Sequence, residues 1–184
     1  MRTAKIIAAG AAAAAMVGLL GTPAMAAPSD TTDVTFLLEG SLDITAPPTA
    51  DLGSGVPGGT ISAQLGEVAV NDSRGAADAS WTASVVSTDF TTGAAAADQT
   101  VLASQVDYWS GPTVGTPTGN GTFSPQQTTS AAAAPLDNTT LLDAYIHTGG
   151  SGGNTASWNP TLVVNVPLAN LAGTYTGTVT HSVL

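Results

Sequence analysis

Two histidines, two glutamates, eleven aspartates and three tryptophans are the side chains of this 184-residue sequence with chemistry to offer. A Ser-His-Asp site needs a nucleophile held beside an oriented imidazole, and serine is too abundant here to single one out. His181 falls on the apolar parity of the last strand-like run, which favours a core or interface histidine over a catalytic base. His147 precedes a glycine-rich loop and is expected to be exposed. Paired carboxylates could serve a glycoside hydrolase. The only glutamates, Glu39 and Glu67, fall on the polar side or edge of strand-like runs, and the aspartates stand singly at turns, where Asp bonds its own backbone. Hard cations take oxygen ligands, so Asn71, Asp72 and Asp78 are the candidate calcium ligands, against a solvated acidic turn around Arg74. No glycine loop followed by Lys is present to cradle a phosphate. Trp81, Trp109 and Trp158 are candidates for a sugar-stacking platform. Trp81 lies on an apolar parity and reads as core, Trp109 follows Tyr108 just before Ser110-Gly111-Pro112, and Trp158 sits at a strand entrance.

Around these residues the chain is organised simply. Arg2 and Lys5 precede an apolar run over residues 6–20, then Gly21, Pro23 and Ala24-Met25-Ala26. A positive start, an apolar core and a small-x-small site form a secretory signal peptide. The run is short for a membrane span, which takes about 20 apolar residues. Residues 1–26 are read as this leader, and no membrane span is expected after its removal.

Cleavage leaves Arg74 as the only basic side chain against 13 carboxylates, a formal charge of −12. Nucleic acid is disfavoured, because phosphate binding is carried by Lys and Arg. Attachment to an anionic surface must then rest on hydrogen bonds, aromatic contacts or bridging metal. The absence of cysteine removes disulfides, thiol nucleophiles and Cys-based metal sites together. With 43% hydrophobic and 9% charged residues the chain is too apolar for an acidic disordered polymer.

The periodicity is two. Val34, Phe36, Leu38, Leu42 and Ile44 share one parity, with Gly40 marking a bend or bulge. Trp81, Ala83 and Val85 alternate with Ser80, Thr82 and Ser84; Leu162, Val164 and Val166 alternate with Thr161, Val163 and Asn165. Tyr175, Gly177, Val179, His181 and Val183 alternate with Thr174, Thr176, Thr178, Thr180 and Ser182. Such alternation predicts half-buried strands. The parity flips at Gly66, which predicts a bulge or tight turn. Residues 110–159 read as long connections around one or two strands, with Leu141–His147 the clearest. Short strands between Gly/Pro/Asn clusters, with no amphipathic helix, predict an all-β antiparallel sandwich, immunoglobulin-like or a related Greek key, over residues 27–184.

Read in order, Leu42-Asp43-Ile44-Thr45-Ala46-Pro47, Asp51-Leu52-Gly53, residues 65–75, Trp81-Thr82-Ala83-Ser84-Val85 and residues 173–180 resemble the WxL-domain proteins of Gram-positive bacteria. The resemblance spans nearly all of residues 27–184. It implies a secreted β-sandwich-like, non-enzymatic protein attached non-covalently to the cell wall through peptidoglycan. The Trp-x-Leu triplets stand here as Trp81-Thr82-Ala83 and His181-Ser182-Val183, with both lead residues at inward-facing strand positions. An alternative is an exported interaction subunit that binds another surface protein through the Thr-lined face of residues 174–182 or an exposed strand edge.

Overall fold

The computed structural model describes residues 30–184. The leader assigned to residues 1–26 lies outside them. The chain divides into one unit over Met1–Phe36 and a second over Leu37–Leu184. Of the first, the described residues 30–36 form neither helix nor strand.

The second unit is all-β. One sheet contains β1 (Leu42–Thr45), β3 (Val68–Asp72) and β11 (Asn154–Trp158) in the order β1-β3-β11. A second contains β4 (Trp81–Ser87), β8 (Thr122–Pro125), β10 (Leu142–Thr148) and β13 (Val179–Val183) in the order β13-β4-β10-β8. A third runs β2-β12-β7-β9, from β2 (Thr60–Gln64), β7 (Val106–Trp109), β9 (Ala134–Pro135) and β12 (Thr161–Asn165). A short pair, β5 (Phe90–Thr91) and β6 (Thr100–Val101), completes the set. All ladders are antiparallel. The only helical elements among the described residues are single 3-10 turns at Ala97–Gln99, Ala103–Gln105 and Ser130–Ala132. Several antiparallel sheets around one apolar core give the unit a sandwich-like, all-β character.

Alternation places the core. In β4, Trp81, Ala83 and Val85 are buried while Thr82 and Val86 are less so. In β3 and β11 the inward residues are Val68, Val70, Ala156 and Trp158. Gly66 adopts φ +97° between β2 and β3, where the chain leaves one sheet for another, so the parity flip is a sheet change at a tight turn. The register of β10 on β4 shifts between Asp143 and Tyr145. This bulge turns consecutive residues Ala144 and Tyr145 into the core.

Three expectations need correction. The alternation from Val34 to Ile44 does not form one strand: only Leu42–Thr45 pairs, and Val34, Phe36, Leu37 and Leu38 stand about 80% exposed. The last strand is shorter than its alternation: residues 174–178 leave the regular ladder, keeping a bridge between Thr176 and Thr91 and hydrogen bonds between Thr178 and Thr88. Residues 110–159 hold four strands instead of one or two, namely β8 to β11. Their Thr, Ser and Ala residues give little hydropathy contrast, and ladder partners distant in sequence decide their conformation.

Candidate functional site

The aromatic and imidazole side chains form one row through the interior. Ring centroids run Phe123–His147 4.3 Å, His147–Trp81 5.6 Å, Trp81–Tyr145 5.8 Å, Tyr145–Trp158 5.1 Å and Trp158–His181 6.4 Å. Tyr108 packs on His181 at 5.7 Å. These are ordinary separations for offset and tilted aromatic pairs. Trp81 and Trp158 are 2% and 0% exposed, so neither presents a face to a sugar. Inward parity in β4 and β11 puts them in the core. Trp109 is half-buried, and its indole Nε1 is shielded without a hydrogen-bond partner, as are Gln127 Oε1 and Asn159 Oδ1 nearby in the fold. Trp81 is core, as its parity indicates, and the three tryptophans do not assemble a stacking platform.

At one end of the row lies a directional hydrogen-bond chain. Trp158 Nε1 donates to the Tyr108 hydroxyl at 3.0 Å, and that hydroxyl stands 3.2 Å from His181 Nε2. Indole can only donate. The phenol oxygen accepts from Trp158, which leaves its own O–H for His181, and Nε2 then accepts. Burial pushes the His181 pKa down to about 4, favouring the neutral ring. Burial also pushes the Tyr108 phenol up, opposed by the Trp158 hydrogen bond. The proton of neutral His181 consequently resides on Nδ1, which has no partner among the described residues. His181 lines a groove of about 190 Å³ between the strap at residues 46–52 and the start of β13, with Pro47, Leu52, Leu65, Phe90 and Val179 among its walls.

At the other end, His147 is 1% exposed, contrary to the expectation of an exposed residue. Nδ1 lies 2.8 Å from Ala79 O and Nε2 3.0 Å from Asn120 O. Both nitrogens face main-chain carbonyls, of which a neutral ring can donate to one, so the ring sits buried between two loops with no side-chain partner to orient it as a base. Gly149-Gly150-Ser151-Gly152-Gly153 has the Gly-x-Ser-x-Gly form. It lies in a loop between β10 and β11 with no following helix, which is not the strand–turn–helix setting of a nucleophile elbow.

The proposed cation ligands are also engaged elsewhere. Asp72 is 1% exposed and accepts from Arg74 N, Nε and Nη2 at 3.0, 3.0 and 2.9 Å and from Asn154 Nδ2 at 3.2 Å. Four donors occupy the lone pairs that a cation would use. The Arg74 hydrogen bonds hold the Asp72 carboxyl below its ordinary range. Asn154 in turn accepts from Trp81 Nε1 at 2.7 Å, tying this ion pair to the aromatic row. Asp78 accepts from the main chain and hydroxyl of Ser80, and that hydroxyl chiefly lowers its pKa. Asn71 points from the exposed side of β3. The three do not converge, and no group of three or more His, Cys, Asp or Glu side chains placed to hold a metal occurs among the described residues.

Asn71 instead borders a second groove of about 320 Å³ beside β3 and β11, whose walls include Glu67, Thr116, Pro117, Thr155 and Ser157. One wall is fixed by bridges from Thr113 to Trp158 and from Thr118 to Thr155. It combines hydroxyl and amide groups with the apolar surfaces of Ala69 and Val114.

Compared with known proteins, the chain matches no family model, no curated protein and no solved structure.

Proposed function

We propose that this chain is a secreted, non-enzymatic surface protein that associates non-covalently with cell-wall peptidoglycan through the groove beside β3 and β11. The carrying observation is that groove's lining: Asn71, Thr116, Thr155 and Ser157 surround an apolar floor, a combination suited to neutral sugar and amide groups. The resemblance of the motif order to that of WxL-domain proteins points to the same partner. The buried tryptophans shift the expected contact from stacking to hydrogen bonding. The net charge of −10 disfavours electrostatic capture by anionic polymers. We read the architecture as a Greek-key-related sandwich, supported by the sheet changes between β2 and β3 and between β11 and β12. Residues 1–26 act as the export signal, so N-terminal sequencing of protein from the medium should begin at Ala27.

The direct test is co-sedimentation with purified peptidoglycan at moderate salt, with and without calcium. Retention that falls when Asn71 and Thr116 are both replaced by alanine supports the reading. No retention of the unaltered chain in either condition refutes it. A second reading, an exported subunit that binds a protein partner, is favoured by one surface feature: the contiguous exposed apolar run Val34–Leu38.

A further inference from the structure

Asn120 is the only asparagine of this chain followed by glycine, and the pair lies in the loop that leads into β8. Glycine has no side chain to shield its main-chain nitrogen. The Gly121 nitrogen, the Asn120 main chain and the Asn120 side chain as far as Cγ can therefore close into a five-membered ring. Two things hold this closure back in a flexible chain. The side chain and the following peptide group must be brought together and kept there, and negative charge must grow on Oδ1 as the nitrogen attacks.

The fold addresses both. Ser151 N donates to Asn120 Oδ1 at 2.8 Å. This bond fixes the amide with its oxygen toward the loop between β10 and β11, and it sets a main-chain donor on the atom that becomes the oxyanion. The peptide group between residues 120 and 121 is held from the other side. His147 Nε2 lies 3.0 Å from Asn120 O, and Gly150 packs so closely on the same oxygen that a Cβ there would overlap it. Neither the Gly121 N–H nor Asn120 Nδ2 has an acceptor among the described residues, so nucleophile and leaving group are both unengaged. Asn120 and Gly121 are exposed, which admits hydroxide and lets ammonia depart.

We propose that Asn120 is a site of spontaneous covalent modification in the folded chain, converted through a cyclic imide to aspartate and isoaspartate with Ser151 N–H as the assisting donor. Hydroxide removes the Gly121 amide proton and the nitrogen bonds to Asn120 Cγ. The Cγ–Nδ2 bond then breaks, and Nδ2 leaves as ammonia after taking a proton from water. Water opens the imide. Cleavage between the Gly121 nitrogen and Cγ gives aspartate; cleavage between that nitrogen and the Asn120 main-chain carbonyl carbon gives isoaspartate, with the chain now running through Cγ. One water is consumed and one ammonia released, with no oxidation. Both products add a negative charge, and isoaspartate adds a methylene to the main chain. Thr118 exchanges main-chain hydrogen bonds with Thr155 in the wall of the groove beside β3 and β11. The added length falls between this bridge and β8, so it loosens that wall and lowers peptidoglycan retention as the chain ages. The fall in retention rests on the wall-binding reading, whereas the conversion does not.

The test incubates the purified chain at mildly alkaline pH, folded or in urea, and follows residue 120 by mass spectrometry, with isoaspartate distinguished by fragmentation. A donor on an enclosed oxyanion is worth roughly 100-fold; at this exposed loop the folded chain should convert about tenfold faster than the unfolded one. Ser151→Pro, which deletes the N–H, should bring the folded rate down to the unfolded rate, and Ser151→Ala, which keeps it, should not. Asn71 and Asn138, exposed but followed by Asp and Thr, are internal references and should lag. No conversion at residue 120 overturns the proposal, as does conversion no faster in the folded chain than in urea, a comparison that needs no variant to fold. An unchanged rate in a folded Ser151→Pro chain also overturns it. Converted chain retained on peptidoglycan as well as fresh chain overturns the link to the groove. Fresh chain that is not retained refutes the wall reading alone, and the rate at residue 120 still decides the conversion.

Discussion

Lowering the pH from 7 to 4 should weaken the fold through His181 in a way that can be isolated from every other titrating group. In the unfolded chain this histidine titrates near its ordinary value of 6.5, whereas in the folded chain burial brings it to about 4. The unfolded state therefore binds more protons between those values. Its stabilising contribution is complete above pH 6.5 and is lost as the pH falls toward 4. The difference, at about 1.4 kcal/mol per unit, gives about 3 kcal/mol, a large part of the roughly 5–15 kcal/mol of a typical domain. Geometry supplies the reason. A protonated ring puts a second donor against a Tyr108 oxygen that already accepts from Trp158, and the Tyr108 proton loses its acceptor. His181→Gln is the reference, because its amide oxygen can still accept from Tyr108 but does not titrate. The lowered carboxylates, Asp72, Asp78 and Asp137, lose their contributions below about pH 4 and do so in both proteins. Relief of net negative charge on acidification is likewise shared. Urea unfolding followed by tryptophan fluorescence at intervals from pH 7 to 4 should show the unaltered chain losing about 3 kcal/mol more than the variant. Parallel pH profiles would refute the argument.

Tyr108→Phe strands the Trp158 indole N–H and removes the His181 donor, and should cost about 1–3 kcal/mol in urea unfolding; a change under about 0.5 kcal/mol would show that the chain of bonds is not formed. Asp72→Ala leaves the Arg74 guanidinium and the Asn154 amide without their acceptor, so a loss of about 3 kcal/mol is expected in the same measurement. Asp72→Asn should fall between that variant and the unaltered chain, because it keeps one acceptor oxygen. Gly121→Ala should lower the melting temperature sharply: residue 121 has φ +108°, and the added methyl group would run into His147 and the carbonyl of Thr148. Millimolar calcium should leave the melting temperature unchanged, since the lone pairs of Asp72 are filled by Arg74 and Asn154; a rise of several degrees would mean that the loop reorganises around the ion.

Period-two alternation was informative wherever a strand has one apolar and one polar row. It located β4 and β12, and it placed Trp81 and His181 on their inward faces. It failed at both ends of the same signal. Val34–Leu38 alternate as well, yet pair with no strand among the described residues, because hydropathy reports a willingness to be covered and not the presence of a cover. In β10 the bulge at Asp143–Tyr145 interrupts alternation, and the pairing of β8 and β11 rests on Thr and Ser residues with little contrast. The burial of His147 was illegible for a different reason. A histidine before glycines reads as exposed, and only carbonyls at Ala79 and Asn120, distant in sequence, make its burial tolerable. The turn around Arg74 was legible at Asp72, whereas its burial was not, because the bond from Asn154 comes from 82 residues away.

The identity of residue 181 follows from the donors around it. A tryptophan there would bring a second indole N–H toward a tyrosine oxygen that already accepts from Trp158. It could not accept the tyrosine proton. Histidine supplies the missing acceptor and retains a donor on its other nitrogen. Histidine at this position is thus matched to Tyr108. His181→Trp should destabilise the fold more than His181→Gln, despite adding apolar surface, because it adds a donor where an acceptor is needed. Replacing Tyr108 by Phe in the same chain removes the O–H in search of an acceptor but leaves both indole N–H groups without one, so the two effects should not add. Unfolding free energies of the four variants form a double-mutant cycle. Additive effects within about 0.5 kcal/mol would show that ring volume, and not hydrogen-bond direction, decides which residue stands at this position.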